Sequence, residues 1–166
     1  MLTVGEVGLR KGSPYVMKAS AQLKGFANFR MVGDYSRVPR TVLGGLAKNI
    51  ELIGSVRRDR MHEHYRWADV FLLPSVCEGS ATVTYEAMQH GLPLIVTPNT
   101  GSVIEHGQEG LIVPVGEQES VVQAIEQLGK EADTRDGMAE AALLKAKYAS
   151  YEAYSQRLIN FFNSLP

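Results

Sequence analysis

Glu78 and Glu86 flank a run of small residues, Gly79-Ser80-Ala81, that leads through Thr82 into a helical segment. Glu78 falls in the loop and Glu86 within the helix, so the two carboxylates do not share a helical face. They could instead hold the two ends of one long ligand. Small residues leave the first amides of that helix uncovered, and amides at the positive end of a helix dipole favour an anion such as a pyrophosphate. Read from the residues alone, an E-x7-E pair is by default a solvated loop carboxylate and a helix-surface glutamate. The ligand-binding reading stands beside that default.

Two further loops carry polar groups. Gly5-Glu6-Val7-Gly8-Leu9-Arg10-Lys11-Gly12 sets Arg10 and Lys11 among glycines just ahead of a helix start, which suits a phosphate or an ordinary turn with solvated cations. It has neither the Walker order nor G-x-G-x-x-G. Thr97-Pro98-Asn99-Thr100-Gly101-Ser102-Val103 offers hydroxyls and an amide, with a plain turn as the default. His62, His64, His90 and His106 read as surface residues, and Cys77 as a small filler rather than a nucleophile. With no D-x-D pair and no His/Cys cluster at ligand spacing, no metal is expected.

The elements that must position these loops alternate. Short apolar runs at Leu2 to Val7, Phe29 to Val32, Ile50 to Ile53, Val70 to Pro74, Leu94 to Thr97 and Leu111 to Val113 read as buried parallel strands, separated by amphipathic stretches. Ser13 reads as an N-cap with Pro14 at the first helical position, and Gly25 as the stop. Thr82 to His90 is a helix ended by Gly91, with Pro93 beyond it. Val121, Ile125 and Leu128 mark another helix. From Arg135 the chain reads as helix only, to about Tyr148 and then from Tyr151 to about Phe162. The predicted fold is α/β, a Rossmann-like parallel sheet of about six strands flanked by helices, with a C-terminal helical tail. Ligands of such sheets bind beyond the carboxyl ends of the strands, where all three loops fall. The aromatic residues of the tail exceed what one amphipathic face needs, so the tail packs either back on this domain or on a further surface.

Composition sets the class. The 166 residues, 45% hydrophobic and 21% charged, describe one ordinary globular domain with a core large enough to fold alone. Seventeen Lys plus Arg against eighteen Asp plus Glu leave a net charge of -1, which is not the field of a nucleic-acid-binding domain. The run Arg57, Arg58, Arg60 reads as a solvated helix start rather than a phosphate or lipid patch. One cysteine, with no leader and no long apolar run, points to the cytoplasm.

The strings LRKG, ADVFLLPSVCEGSATVTYEAMQHGLPLIVTP and NTGSVIEHGQEGLIVPVG, in that order, resemble the C-terminal half of glycosyltransferase family 4, the retaining group of GT-B architecture. The resemblance runs from about Leu2 to Leu128. It implies that residues 1–166 form a single donor-binding domain, with the acceptor-binding N-terminal domain absent, and that the tail from Tyr151 crosses toward that missing domain. It implies that Glu78 is catalytic and faces the donor sugar, and that Glu86 holds the ribose hydroxyls. The diphosphate would lie on the amides of Gly79, Ser80, Ala81 and Thr82, with Lys11 as the phosphate-binding lysine. The loop near Ser55 and Val56 would seat the base. Glu6 stands where the family often has Arg, with Arg10 as a replacement charge, and Ser102 where it often has an acid. The donor would be a UDP- or GDP-linked sugar, used without metal or other cofactor, and the acceptor a glycan, lipid or small molecule. Alone, the domain is expected to be nearly inactive. The full-length protein would be cytoplasmic, with contact to a membrane surface open through the missing half. A non-catalytic nucleotide-binding or interaction module, and a nucleotide-sugar epimerase domain of the same architecture, are the alternatives.

Overall fold

The computed structural model describes residues 1–165. Six strands, β1 (Leu2–Val4), β2 (Phe29–Val32), β3 (Ile50–Gly54), β4 (Phe71–Leu73), β5 (Leu94–Val96) and β6 (Gly110–Ile112), form one sheet in the order β3-β2-β1-β4-β5-β6. Every pairing is parallel. The helices are α1 (Ser13–Gln22), α2 (Arg40–Leu46), α3 (Met61–Trp67), α4 (Thr82–Gln89), α5 (Gln118–Lys130), α6 (Ala132–Tyr148) and α7 (Tyr151–Asn163).

Both faces of the sheet are covered, which is why the central strands β4 and β5 are apolar throughout, while β2 and β3 toward the edge carry Arg30 and Glu51. Successive side chains point to opposite faces. Leu72 and Ile95 join Val16, Leu23, Ile125 and Leu128 in one core, beneath α1 and α5. Phe71, Leu73, Leu94 and Val96 join Tyr65, Met88 and Ala142 in the other, beneath α3, α4 and α6. The strand order reverses between β1 and β4, so the connections after these two strands leave in opposite directions and open a crevice above them.

Three details of the expected elements change. The first strand stops at Val4 instead of running to Val7, because Gly5 (φ +132) turns the chain off the sheet. A Cβ on Gly5 would lie 2.6 Å from Lys11 Cε, so the bare backbone there is the bed on which the lysine stem lies. The N-cap of α1 is Gly12 in the left-handed region, not Ser13. Ser13 opens the helix itself, and its hydroxyl accepts from the Gly8 amide at 2.9 Å, closing the loop on itself. Sequence periodicity also missed α2, a seven-residue helix with two glycines and one buried side chain, Leu46.

Helix α7 buries no residue. Tyr151 is 80% exposed and Phe162 59%, so the aromatic residues of α7 are not buried on this domain. It is held at its start, where Arg157 Nη1 donates to the Tyr148 carbonyl at 2.7 Å and the guanidinium lies over the Tyr148 ring. No helix among the described residues is long and apolar enough to cross a membrane.

Candidate functional site

The loops after β1 and β4 meet directly over the switch in strand order. The Arg10 carbonyl accepts from the Val76 amide at 2.9 Å and the Cys77 amide at 3.4 Å. Gly12 comes so close to Pro74 that a Cβ would lie 2.0 Å from the proline carbonyl oxygen. These contacts bring the two basic residues onto the loop carboxylate. Lys11 Nζ lies 3.1 Å from Glu78 Oε1, and Arg10 Nη1 donates to the same oxygen.

Burial decides which of the two pairs matters. The Arg10 side chain is 54% exposed, so its pairing is of the solvent-screened kind that contributes about 0–1 kcal/mol. Lys11 and Glu78 are only 11% and 8% exposed, and removing one member of such a pair costs about 3–5 kcal/mol by stranding the other charge. Glu6 is turned to an exposed partner, Arg37, at 3.8 Å.

Of the four amides expected to face a diphosphate, one is engaged. Ala81 is buried, and its N–H donates to the Thr100 carbonyl at 3.1 Å, so in this structure that amide is already paired. The amides of Gly79, Ser80 and Thr82 have no partner among the described residues, and all three residues are exposed. The first part of the third loop, Thr97 to Thr100, is a buttress, while Val103 farther along it lines the cavity beside Glu86. The Glu78 amide donates to the Asn99 carbonyl, and the Asn99 side chain donates to the Val76 carbonyl at 2.7 Å. Thr97 and Thr100 are buried, with hydroxyls donating to the carbonyls of Ser75 and Leu73.

Glu86 lies in the second turn of α4. Its Oε2 accepts from the Tyr65 hydroxyl at 2.7 Å. Burial, and then the Glu86 hydrogen bond, push the Tyr65 phenol far above its usual range, so it keeps its proton and can only donate here. Beside Glu86 opens a cavity of about 470 Å3 whose walls include Arg58, Thr82, Tyr85 and, from the tail, Tyr151 and Arg157. Val56 packs with Ile53 and Val83 against the core, and its own amide and carbonyl make no hydrogen bond among the described residues.

Sequence reasoning placed Arg58 in a solvated run. Its neighbours fit that description, Arg57 pairing with Asp59 and Arg60 with Glu63 in solvent, but Arg58 faces the Glu86 cavity. Tyr65 gave no signal, since a tyrosine in a short amphipathic stretch reads as core. His90 is exposed, yet its ring stacks on Tyr65 with centroids 4.8 Å apart. Cys77 is also exposed rather than a filler, while its amide donates to the Arg10 carbonyl.

A doubly wound parallel sheet with a buried lysine, a loop carboxylate and unpaired amides at its switch point is a Rossmann-like domain of the nucleotide-binding kind. The chain belongs to the glycosyl transferases group 1 family, whose model matches residues 1–131, and corresponds to the C-terminal, sugar-donor-binding domain of these GT-B proteins. It is 28% identical over 124 residues to the D-inositol 3-phosphate glycosyltransferase of Corynebacterium urealyticum, covering 74% of this chain and 29% of the relative. It is 27% identical over 175 residues to the alpha-D-kanosaminyltransferase of Streptomyces kanamyceticus, covering 99% and 45%. Among solved structures, Anabaena Alr3699/HepE in complex with UDP and glucose shares the fold at TM-score 0.81 and 20% identity, over 98% of this chain and 48% of that one. WaaG, a glycosyltransferase involved in lipopolysaccharide biosynthesis, does so at TM-score 0.75 and 24% identity, over 93% and 44%. The chain thus spans less than half the length of each of these relatives.

Proposed function

We propose that this domain supplies the donor site of a retaining glycosyltransferase, which moves a sugar from a nucleoside diphosphate to a glycan, lipid or small-molecule acceptor held by an N-terminal domain. The observation that carries the reading is the junction of the first two loops, where buried Lys11 sits on Glu78 beside the unpaired amides of Gly79, Ser80 and Thr82. A diphosphate laid there meets a fixed cation and a helix N-terminus. Both gain in value as the glycosidic bond breaks and negative charge collects on the leaving phosphate, so they stabilise the transition state more than the bound donor. Glu78 faces the sugar and Glu86 the ribose. Val56 lies at the base.

UDP is the preferred carrier in this reading, by analogy with the Anabaena neighbour solved with UDP-glucose. The exposed face of α7 would dock on the N-terminal domain, and without that domain the chain binds donor but transfers little. In the cell the complete enzyme would be cytoplasmic, with any membrane contact made through the other half.

The test is calorimetric titration of the chain with UDP, GDP and ADP. UDP is expected to bind, and Glu86→Ala to weaken it by about 10- to 100-fold, the loss of one hydrogen bond to a charged acceptor at about 1.5–3 kcal/mol. Unchanged UDP affinity in Glu86→Ala would overturn the ribose assignment. Tighter GDP or ADP binding would replace UDP as the carrier.

A further inference from the structure

Glu86 stands on a helix surface beside an open cavity, where a carboxylate is normally free to rotate. A carboxylate that must meet vicinal hydroxyls cannot afford that freedom, because each hydrogen bond would then be made against lost rotamer entropy. The structure supplies one fixed point. Tyr65, 1% exposed, donates to Glu86 Oε2 at 2.7 Å. The Tyr65 ring is itself fixed, tilted against Phe71 at 6.3 Å and stacked with His90 at 4.8 Å. His90 Nδ1 in turn lies 2.8 Å from the Glu86 carbonyl oxygen, so ring and helix hold each other.

We propose that Tyr65 is the positioning residue for ribose recognition: its hydroxyl occupies Glu86 Oε2, fixes the carboxylate plane, and leaves Oε1 as the acceptor that separates ribonucleoside from deoxyribonucleoside diphosphates. The inference rests on the assignment of Glu86 to the ribose. It goes beyond that assignment in naming the group that makes Glu86 selective. A phenol suits the task because, buried against a carboxylate, it stays protonated at every working pH. A serine or water in its place would be free to turn.

Tyr65→Phe keeps the ring and removes only the hydroxyl, so packing and discrimination can be separated. Calorimetry of the chain with UDP, 2′-deoxy-UDP and 2′,3′-dideoxy-UDP, for wild type and Tyr65→Phe, is the experiment. The wild type is expected to favour UDP over the dideoxy compound by at least tenfold. In Tyr65→Phe the UDP affinity should fall about tenfold while dideoxy-UDP affinity holds, so that the preference collapses. Equal loss for all three ligands would mark Tyr65 as structural support only and overturn the inference, as would an undiminished preference for UDP. Either result leaves Glu86 on the ribose. A wild type that does not distinguish the three compounds, or binds none of them, removes the ribose assignment and the inference together.

Discussion

Gly12→Ala is expected to destabilise the domain by about 3 kcal/mol, a strained left-handed residue plus a backbone clash, which for a chain of this size lowers the melting temperature by roughly 6–12 °C. Gly12 adopts φ +72, and a Cβ there would lie 2.0 Å from the Pro74 carbonyl oxygen. Neither loop can yield, since the Gly12 amide is bonded to Leu9 and the Arg10 carbonyl to Val76 and Cys77. Gly25 provides the control. It has a similar φ, +82, with nothing within 4 Å of the added Cβ, so Gly25→Ala meets only the backbone strain, about 1–2 kcal/mol. Thermal denaturation of both variants reads the difference. If Gly12→Ala melts no lower than Gly25→Ala, the close approach of the two loops is not what holds Lys11 against Glu78.

The same junction shows what the sequence makes legible. Strands β4 and β5 are readable because they are buried on both faces, so Phe71, Leu72 and Leu73, or Leu94, Ile95 and Val96, form unbroken apolar runs between turn residues. The start of α4 is readable from the small residues before Thr82. The end of β1 is not, because Val7 is buried like a strand residue although it lies beyond the Gly5 turn. Helix α2 is hidden, and of α3 only the solvated start at Arg57 to Arg60 is legible, for a related reason. Each is seven residues long and buries one side chain, too little for a period of 3.6 to register.

For the site, the family resemblance points to Arg10, Lys11, Glu78 and Glu86, but a resemblance in sequence carries no contact. That Lys11 rests on Glu78 depends on glycines at 5 and 12 meeting a lysine stem and a proline carbonyl from distant segments. That Thr97 and Thr100 brace the second loop instead of facing a ligand depends on which carbonyls lie under them. Tyr65 is the extreme case. Its role is set by one hydroxyl across 21 residues of chain, while everything local about it says core.

Glu78→Gln is expected to move two measurements in opposite directions. Without ligand, Lys11 and Arg10 are both turned to the Glu78 carboxylate, so an incoming diphosphate competes with that carboxylate for the cations. The amide keeps the shape and removes the competing charge. Affinity for UDP and for inorganic pyrophosphate should rise about tenfold, one charge-assisted hydrogen bond's worth of free energy, and the gain should shrink with added salt. Stability without nucleotide should fall, because a buried ammonium is left unpaired, and saturating UDP should restore it by mass action. UDP-glucose should not share the gain, since in the proposed site the lost carboxylate is the sugar's own acceptor, and transfer by the complete enzyme should drop by at least a hundredfold. Adding Lys11→Met to Glu78→Gln should cancel the rise in pyrophosphate affinity if Lys11 is the cation released. Unchanged UDP and pyrophosphate affinity in Glu78→Gln would mean that the phosphates lie elsewhere, and that the Lys11–Glu78 pair holds two loops together without meeting the donor.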